Sequence, residues 1–107
     1  MMVQVRITGP KVHGVGYRLH LLDMAIRYQI ERLSLDRLSR DGGQEVVALA
    51  AGEEDQILSF LVEVKTDIPE TAEVTSIMQE HYLGYINPIM ATSWKLLSQQ
   101  LHDLGPL

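Results

Sequence analysis

Near its start the chain changes hydrophobic period once, and that change constrains the fold more than any other feature. Val3, Val5 and Ile7 alternate with Gln4, Arg6 and Thr8, the pattern of a strand buried on one face. Gly9 and Pro10 break it. From Val15 the apolar residues Val15, Leu19, Leu22, Ile26 and Ile30 recur at helical spacing, so a helix is predicted to begin near Gly16 and to bury that stripe. Arg18, Asp23 and Arg27 fall on its other faces.

The rest of the chain repeats the two patterns. Leu33, Leu35 and Arg37 alternate with Ser34 and Asp36 as a second strand, and "RDGG" from Arg40 to Gly43 supplies residues that tolerate positive φ in a hairpin turn. "QEVVALAAG" reads as the partner strand. Glu53, Glu54 and Asp55 then open a second helix, where acids complement the helix dipole; Ile57, Leu61 and Val64 form its buried stripe with Leu58 flanking, and Pro69 closes the element. Val74, Ile77 and Tyr82 mark a fourth strand. The order β-α-β-β-α-β predicts an α+β fold, an antiparallel sheet with both helices on one face.

Size and composition limit the function classes. A chain of 107 residues with 46% hydrophobic and 21% charged residues is long enough for one domain with a working core. No segment reaches the ~18 to 20 apolar residues of a membrane span, and "MMVQVRITG" lacks a signal peptide's basic start and apolar run. A cytoplasmic protein without a membrane partner is therefore expected. Cysteine is absent, which excludes disulfides, thiolate metal sites and a cysteine nucleophile. The net charge of -5 argues against a nucleic-acid partner.

Chemistry concentrates between the first strand and the first helix, in "KVHGVGYR". A glycine-rich turn at a helix N-terminus lets backbone N–H groups converge where the dipole adds positive potential, and that makes an anion cradle. Arg18, in the first helical turn, can bring its planar fork to the same spot and bind phosphate or carboxylate bidentately. Read without function, Gly14 and Gly16 permit a tight turn and Arg18 is a solvated surface residue.

These residues resemble the signature loop of the acylphosphatase family: a valine, a polar residue, Gly-Val, a free position, an aromatic and Arg, here Val12, His13, Gly14, Val15, Gly16, Tyr17 and Arg18. "IPETAEVTSI" is similar to the family's approach to its fourth strand, and the likeness runs roughly from Val3 to Met78. The resemblance implies a ferredoxin-like sandwich and hydrolysis of the carboxyl-phosphate bond of small acyl phosphates without metal or cofactor. It implies that the phosphate is held by the amides of His13, Gly14, Val15, Gly16, Tyr17 and Arg18 and by the Arg18 side chain. It also implies an asparagine on the second strand that positions the attacking water.

The chain departs from that pattern in three places. Pro10 stands where the family's loop usually opens with glycine, Gly9 being one place earlier. The second strand holds no asparagine, Asn87 being the only one in the chain; the matching position is Arg37, or Leu38 if the turn is one residue shorter. A guanidinium has donors only, so Arg37 facing the loop would add positive charge to an anion site without aiming a water, and on the other reading it points to solvent or pairs with Asp36 or Asp41. Finally, where the family ends in a fifth strand, Trp94, Leu97, Leu101 and Leu104 recur at helical spacing before Gly105 and Pro106. Residues 1–84 are thus read as an acylphosphatase-like domain and 85–107 as a helical extension packed on that domain, on a second copy as a homodimer, or on a protein partner.

No histidine has a second ligand at metal spacing, so no metal is expected, and His13 is read as exposed. No serine sits in a strand-turn-helix elbow. A ferredoxin-like RNA binder fails on charge and on the lack of exposed aromatics in the central strands. Two readings stand: an acyl phosphate hydrolase in which Arg18 and Arg37 act at the phosphoryl group, and a non-catalytic anion-binding or protein-interaction module that keeps the cradle without the water-positioning amide.

Overall fold

In the computed structural model, which describes residues 1–103, the alternation of the first strand becomes the centre of the sheet. Strand β1 (Met2–Gly9) buries Val3, Val5 and Ile7 on one face. It is flanked on one side by β3 (Gly43–Ala51) and on the other by β4 (Ser76–His81), and β2 (Arg32–Arg40) pairs with β3, giving the order β2-β3-β1-β4 with every pair antiparallel. Helices α1 (Tyr17–Arg27) and α2 (Glu54–Thr66) cover the face that carries Val3, Val5, Ile7, Leu33, Leu35, Val46, Ala48 and Ala50. This is the α+β, ferredoxin-like architecture that the order of periods predicts.

The buried side of α1 differs from the predicted stripe. Leu22 and Ile30 are buried, but Leu19 and Ile26 are exposed, and the face against the sheet is Tyr17, Leu21, Met24 and Ala25. These also recur at three and four, one step around the helix, and the aromatic Tyr17 with its larger apolar area sets the rotation. In α2, Ile57, Leu61 and Val64 are buried as expected, joined by Phe60, whereas Leu58 is exposed. The two helices are tied by a polar cluster: Glu63 accepts from the Tyr28 hydroxyl at 2.8 Å and pairs with the Arg27 guanidinium at 2.7 Å.

After β4 the chain crosses to the far edge of the sheet. Asn87 accepts from the Leu33 N–H at 2.9 Å and donates its own N–H to Ser34 Oγ, Arg32 and Pro88 form a short bridge, and the Ile89 N–H reaches the Glu31 carbonyl. The backbone then turns into α3 (Ile89–Asp103), whose Thr92 hydroxyl donates to the Leu33 carbonyl. The inward positions are Ile89, Thr92, Leu96 and Gln99, with Thr92 and Leu96 buried. Trp94, Leu97 and Leu101, expected as a stripe packed on the domain, on a second copy or on a partner, are 66%, 45% and 60% exposed in the single chain, so they do not pack on the domain itself. Leu104, Gly105 and Pro106, read as the end of that stripe and its stop, lie outside the described residues.

Two expectations follow. Leu96→Ala lowers stability by ~2 to 5 kcal/mol, as for other buried leucines, whereas Trp94→Ala stays within about 0.5 kcal/mol; urea melts of the two variants decide which face of α3 is packed. The hydrogen bond from Tyr28, and after it the one from Arg27, hold the Glu63 carboxyl below its ordinary range. A depressed folded value adds stability above the unfolded pKa of ~4.3 and loses it as pH falls through the folded one. The urea midpoint of the unsubstituted chain should therefore drop more steeply than that of Glu63→Gln as pH is lowered from about 6 to about 3, across the carboxylate range.

Candidate anion-binding site

The loop between β1 and α1 is fixed at its stem before it opens. Gly9 lies so close to the β4 approach that a Cβ there would meet the Glu73 carbonyl oxygen at 2.1 Å, so glycine is obligatory one residue ahead of Pro10. Lys11 and Glu73 then exchange backbone hydrogen bonds at 3.4 and 2.8 Å. On the other side Gln44, the β3 residue opposite Gly9, turns its Oε1 to the N–H groups of Val12 and His13, at 2.9 and 2.8 Å. The His13 ring donates through Nε2 to the Glu45 carbonyl at 2.8 Å.

That stem corrects the reading of His13. Its N–H, expected among the phosphate donors, is already engaged by Gln44, and its side chain is half-buried and bonded rather than exposed. The free donors begin one residue later. Gly14 and Gly16 have φ of 70° and 73°, and a Cβ at either would stand in open space, so glycine serves the backbone conformation there and not the packing. Among the described residues, none accepts from the N–H groups of Gly14, Val15, Gly16 and Tyr17. Gly16 is the N-cap of α1, which adds the positive end of the helix dipole.

The side chains divide between core and cavity. Tyr17 is 3% exposed. Among the described residues its hydroxyl has no hydrogen-bond partner, and burial, with the nearby Asp67 charge second, pushes its pKa up to about 12. It anchors the helix start from beneath. Arg18, half-buried, lines a cavity of about 160 Å³ with Gly14, Gly16 and Arg37. Arg37 reaches it because β2 pairs it with Val46, whose side chain is on the helix-covered face; Leu38 pairs with Glu45 on the opposite face. Among the described residues no carboxylate lies within ion-pair distance of Arg37.

The remaining wall comes from α3. Leu96, Gln99 and Gln100 line the cavity, and Arg18 Nη1 donates to Gln99 Oε1 at 2.9 Å. An adjoining opening is formed by Arg18, Arg37, Ser98, Gln99 and His102. Sequence reasoning missed Gln44, Leu96 and Gln99. Gln44 carries no local signal, since only the register with Gly9 reveals its role, and the other two were masked by the larger outward residues of the same helix. Among the described residues no group of three or more His, Asp or Glu side chains could hold a metal ion, and no helix is long and apolar enough to cross a membrane.

The fold and this loop define a ferredoxin-like domain with a glycine-rich turn at the N-terminus of its first helix. The family model for acylphosphatase matches residues 3–85, and the chain belongs to that family. Among solved structures it is similar to an acylphosphatase from Bacillus subtilis, at 28% identity and a TM-score of 0.56, over 82% of this chain and 94% of that one. An acylphosphatase from Coxiella burnetii is 25% identical with a TM-score of 0.54, over 78% and 82% of the two chains. Full-length HypF in its phosphate- and nucleotide-bound form is 25% identical with a TM-score of 0.57, over 78% of this chain and 10% of the other. No curated protein sequence matches the chain. The match ends before α3, so the helix that closes the cavity lies beyond it.

Proposed function

We propose that this chain binds the phosphoryl group of small acyl phosphates in the cavity at the start of α1 and hydrolyses the carboxyl-phosphate bond. The observation that carries the reading is that Gly14, Gly16 and Tyr17, whose N–H groups have no acceptor among the described residues, line one small cavity with two guanidinium-bearing residues, Arg18 and Arg37. A phosphoryl group leaving a carboxylate passes through a loose transition state with charge spread over its equatorial oxygens. Preorganised amides and guanidinium groups match that distribution and need no metal. His13 contributes by holding the stem in place.

A second reading rests on a specific observation: the β2 residue that faces the cavity is Arg37, a donor, where the family resemblance implies an amide. On that reading the site is a non-catalytic anion sensor.

Calorimetry with inorganic phosphate and an assay on benzoyl phosphate separate the two. Arg18→Ala is expected to weaken phosphate binding by about tenfold or more, the loss of a charge-assisted contact, and to remove hydrolysis. Arg37→Ala weakens binding less, because its guanidinium is more exposed. Phosphate binding without turnover above the spontaneous rate supports the sensor, and equal affinity in the parent chain and Arg18→Ala overturns the cradle itself.

A further inference from the structure

Hydrolysis in the cavity needs one group that the loop and β2 do not supply. A water attacking phosphorus in line must be held by an acceptor, so that one of its hydrogens is engaged and a lone pair faces the phosphorus. The Gly14–Tyr17 amides, Arg18 and Arg37 are all donors, and Leu96 is apolar. The side-chain acceptors on the cavity wall come from α3, since the Tyr17 hydroxyl is buried beneath it. Gln100 is exposed, and His102 stands at the adjoining opening and is exposed as well. Gln99 is half-buried and held in place by the Arg18 hydrogen bond at 2.9 Å.

We infer that Gln99 is the group that orients the attacking water, supplied from the C-terminal helix rather than from the second strand. The inference rests on the acyl phosphate reading above. The amide oxygen has two lone pairs. One receives Arg18 Nη1–H, and the other accepts a hydrogen from water beside the phosphoryl group that Arg18 itself binds. One side chain is thereby coupled to phosphate recognition and to water placement. In the reaction the water oxygen bonds to phosphorus as the bond from phosphorus to the acyl oxygen breaks. The carboxylate leaves with the bonding pair, and both water protons stay on the phosphate, so an acyl phosphate dianion and water give a carboxylate and dihydrogen phosphate. The inward stripe of α3 explains why the position is polar: Thr92 closes the edge of β2, Leu96 seals the core, and the next inward residue reaches the cavity.

The test is Gln99→Leu in the full chain, with Trp94→Ala on the outer face of the same helix as control. Expected is a fall of kcat on benzoyl phosphate by about tenfold or more, an increase of ~1.4 kcal/mol in the barrier, with inorganic phosphate affinity and urea midpoint within about twofold and unchanged, respectively. Gln99→Asn, which keeps the amide on a shorter stem, should recover part of the lost kcat, and Trp94→Ala should match the parent chain. An unchanged kcat in Gln99→Leu overturns the assignment. So does a parallel loss of kcat and phosphate affinity, which would mean that Gln99 acts only by holding Arg18. If the parent chain binds phosphate and does not turn over benzoyl phosphate, water placement by Gln99 falls while the binding site stands; if it does not bind phosphate, the acyl phosphate reading falls and this inference with it.

Discussion

The open edge of β2 is the constraint on which the rest of this molecule turns. An edge strand presents unpaired N–H and C=O groups, and a sheet must cover or disguise them. Here the cover begins as a strand would, with Asn87 bonded to Leu33 and Ser34, and then becomes a helix after one short bridge at Arg32 and Pro88. Pro88 lacks the N–H that would continue a ladder. A helix leaving the edge there passes over the N-terminal end of α1, which a continuing strand alongside β2 would not do, and it places Leu96 and Gln99 against the anion loop.

The loop itself is held from the opposite direction. Gln44 Oε1 engages the Val12 and His13 N–H groups, and Gly9 lets the chain pass within van der Waals contact of Glu73. With the stem satisfied, the N–H groups from Gly14 to Tyr17 have no partner among the described residues, and Gly14 and Gly16 hold the left-handed conformation that turns the chain into the helix. A buried or half-buried donor left unmade is costly; at the mouth of a cavity the same donors become recognition groups. The buried Tyr17 ring fixes the helix start against the core, and with it the position of these donors.

Much of the fold was legible because its signals are local. Strand and helix periods in Val3–Ile7, Leu33–Leu35 and Ile57–Val64 name the elements, and the turn residues at Asp41 to Gly43 name the hairpin. The faces of α1 and α3 were less legible, for one reason in both. Each helix carries two sets of residues at helical spacing, and the choice between them depends on what the neighbouring surface requires. In α3 the surface is a strand edge and a polar cavity, so the inward set is Thr92, Leu96 and Gln99 while Met90, Trp94, Leu97 and Leu101 face outward. Size alone points to the wrong set. Of the site, Gly14, Gly16 and Arg18 were legible from the loop; Arg37 was named from the family resemblance with Leu38 as the alternative, and only the register opposite Val46 chooses between them; Gln44 and Gln99 were not legible at all, since long-range pairing makes their neighbours.

The arrangement also bears on how binding and chemistry divide in such a site. On the proposed reading, two guanidinium groups would favour a bound phosphoryl anion in ground and transition state alike, and interactions equal in both lower KM without raising kcat. Rate must then come from geometry, from donors aimed where charge develops and from an acceptor that removes the freedom of the water. Arg37 can serve the first purpose and cannot serve the last. On that reading a second cation on β2 and an amide on α3 form a consistent pair: the strand that contributes charge leaves the side-chain acceptor to the helix that closes the β2 edge. The departure on the second strand and the departure at the C-terminus, separate in the sequence, meet at a single cavity in the fold.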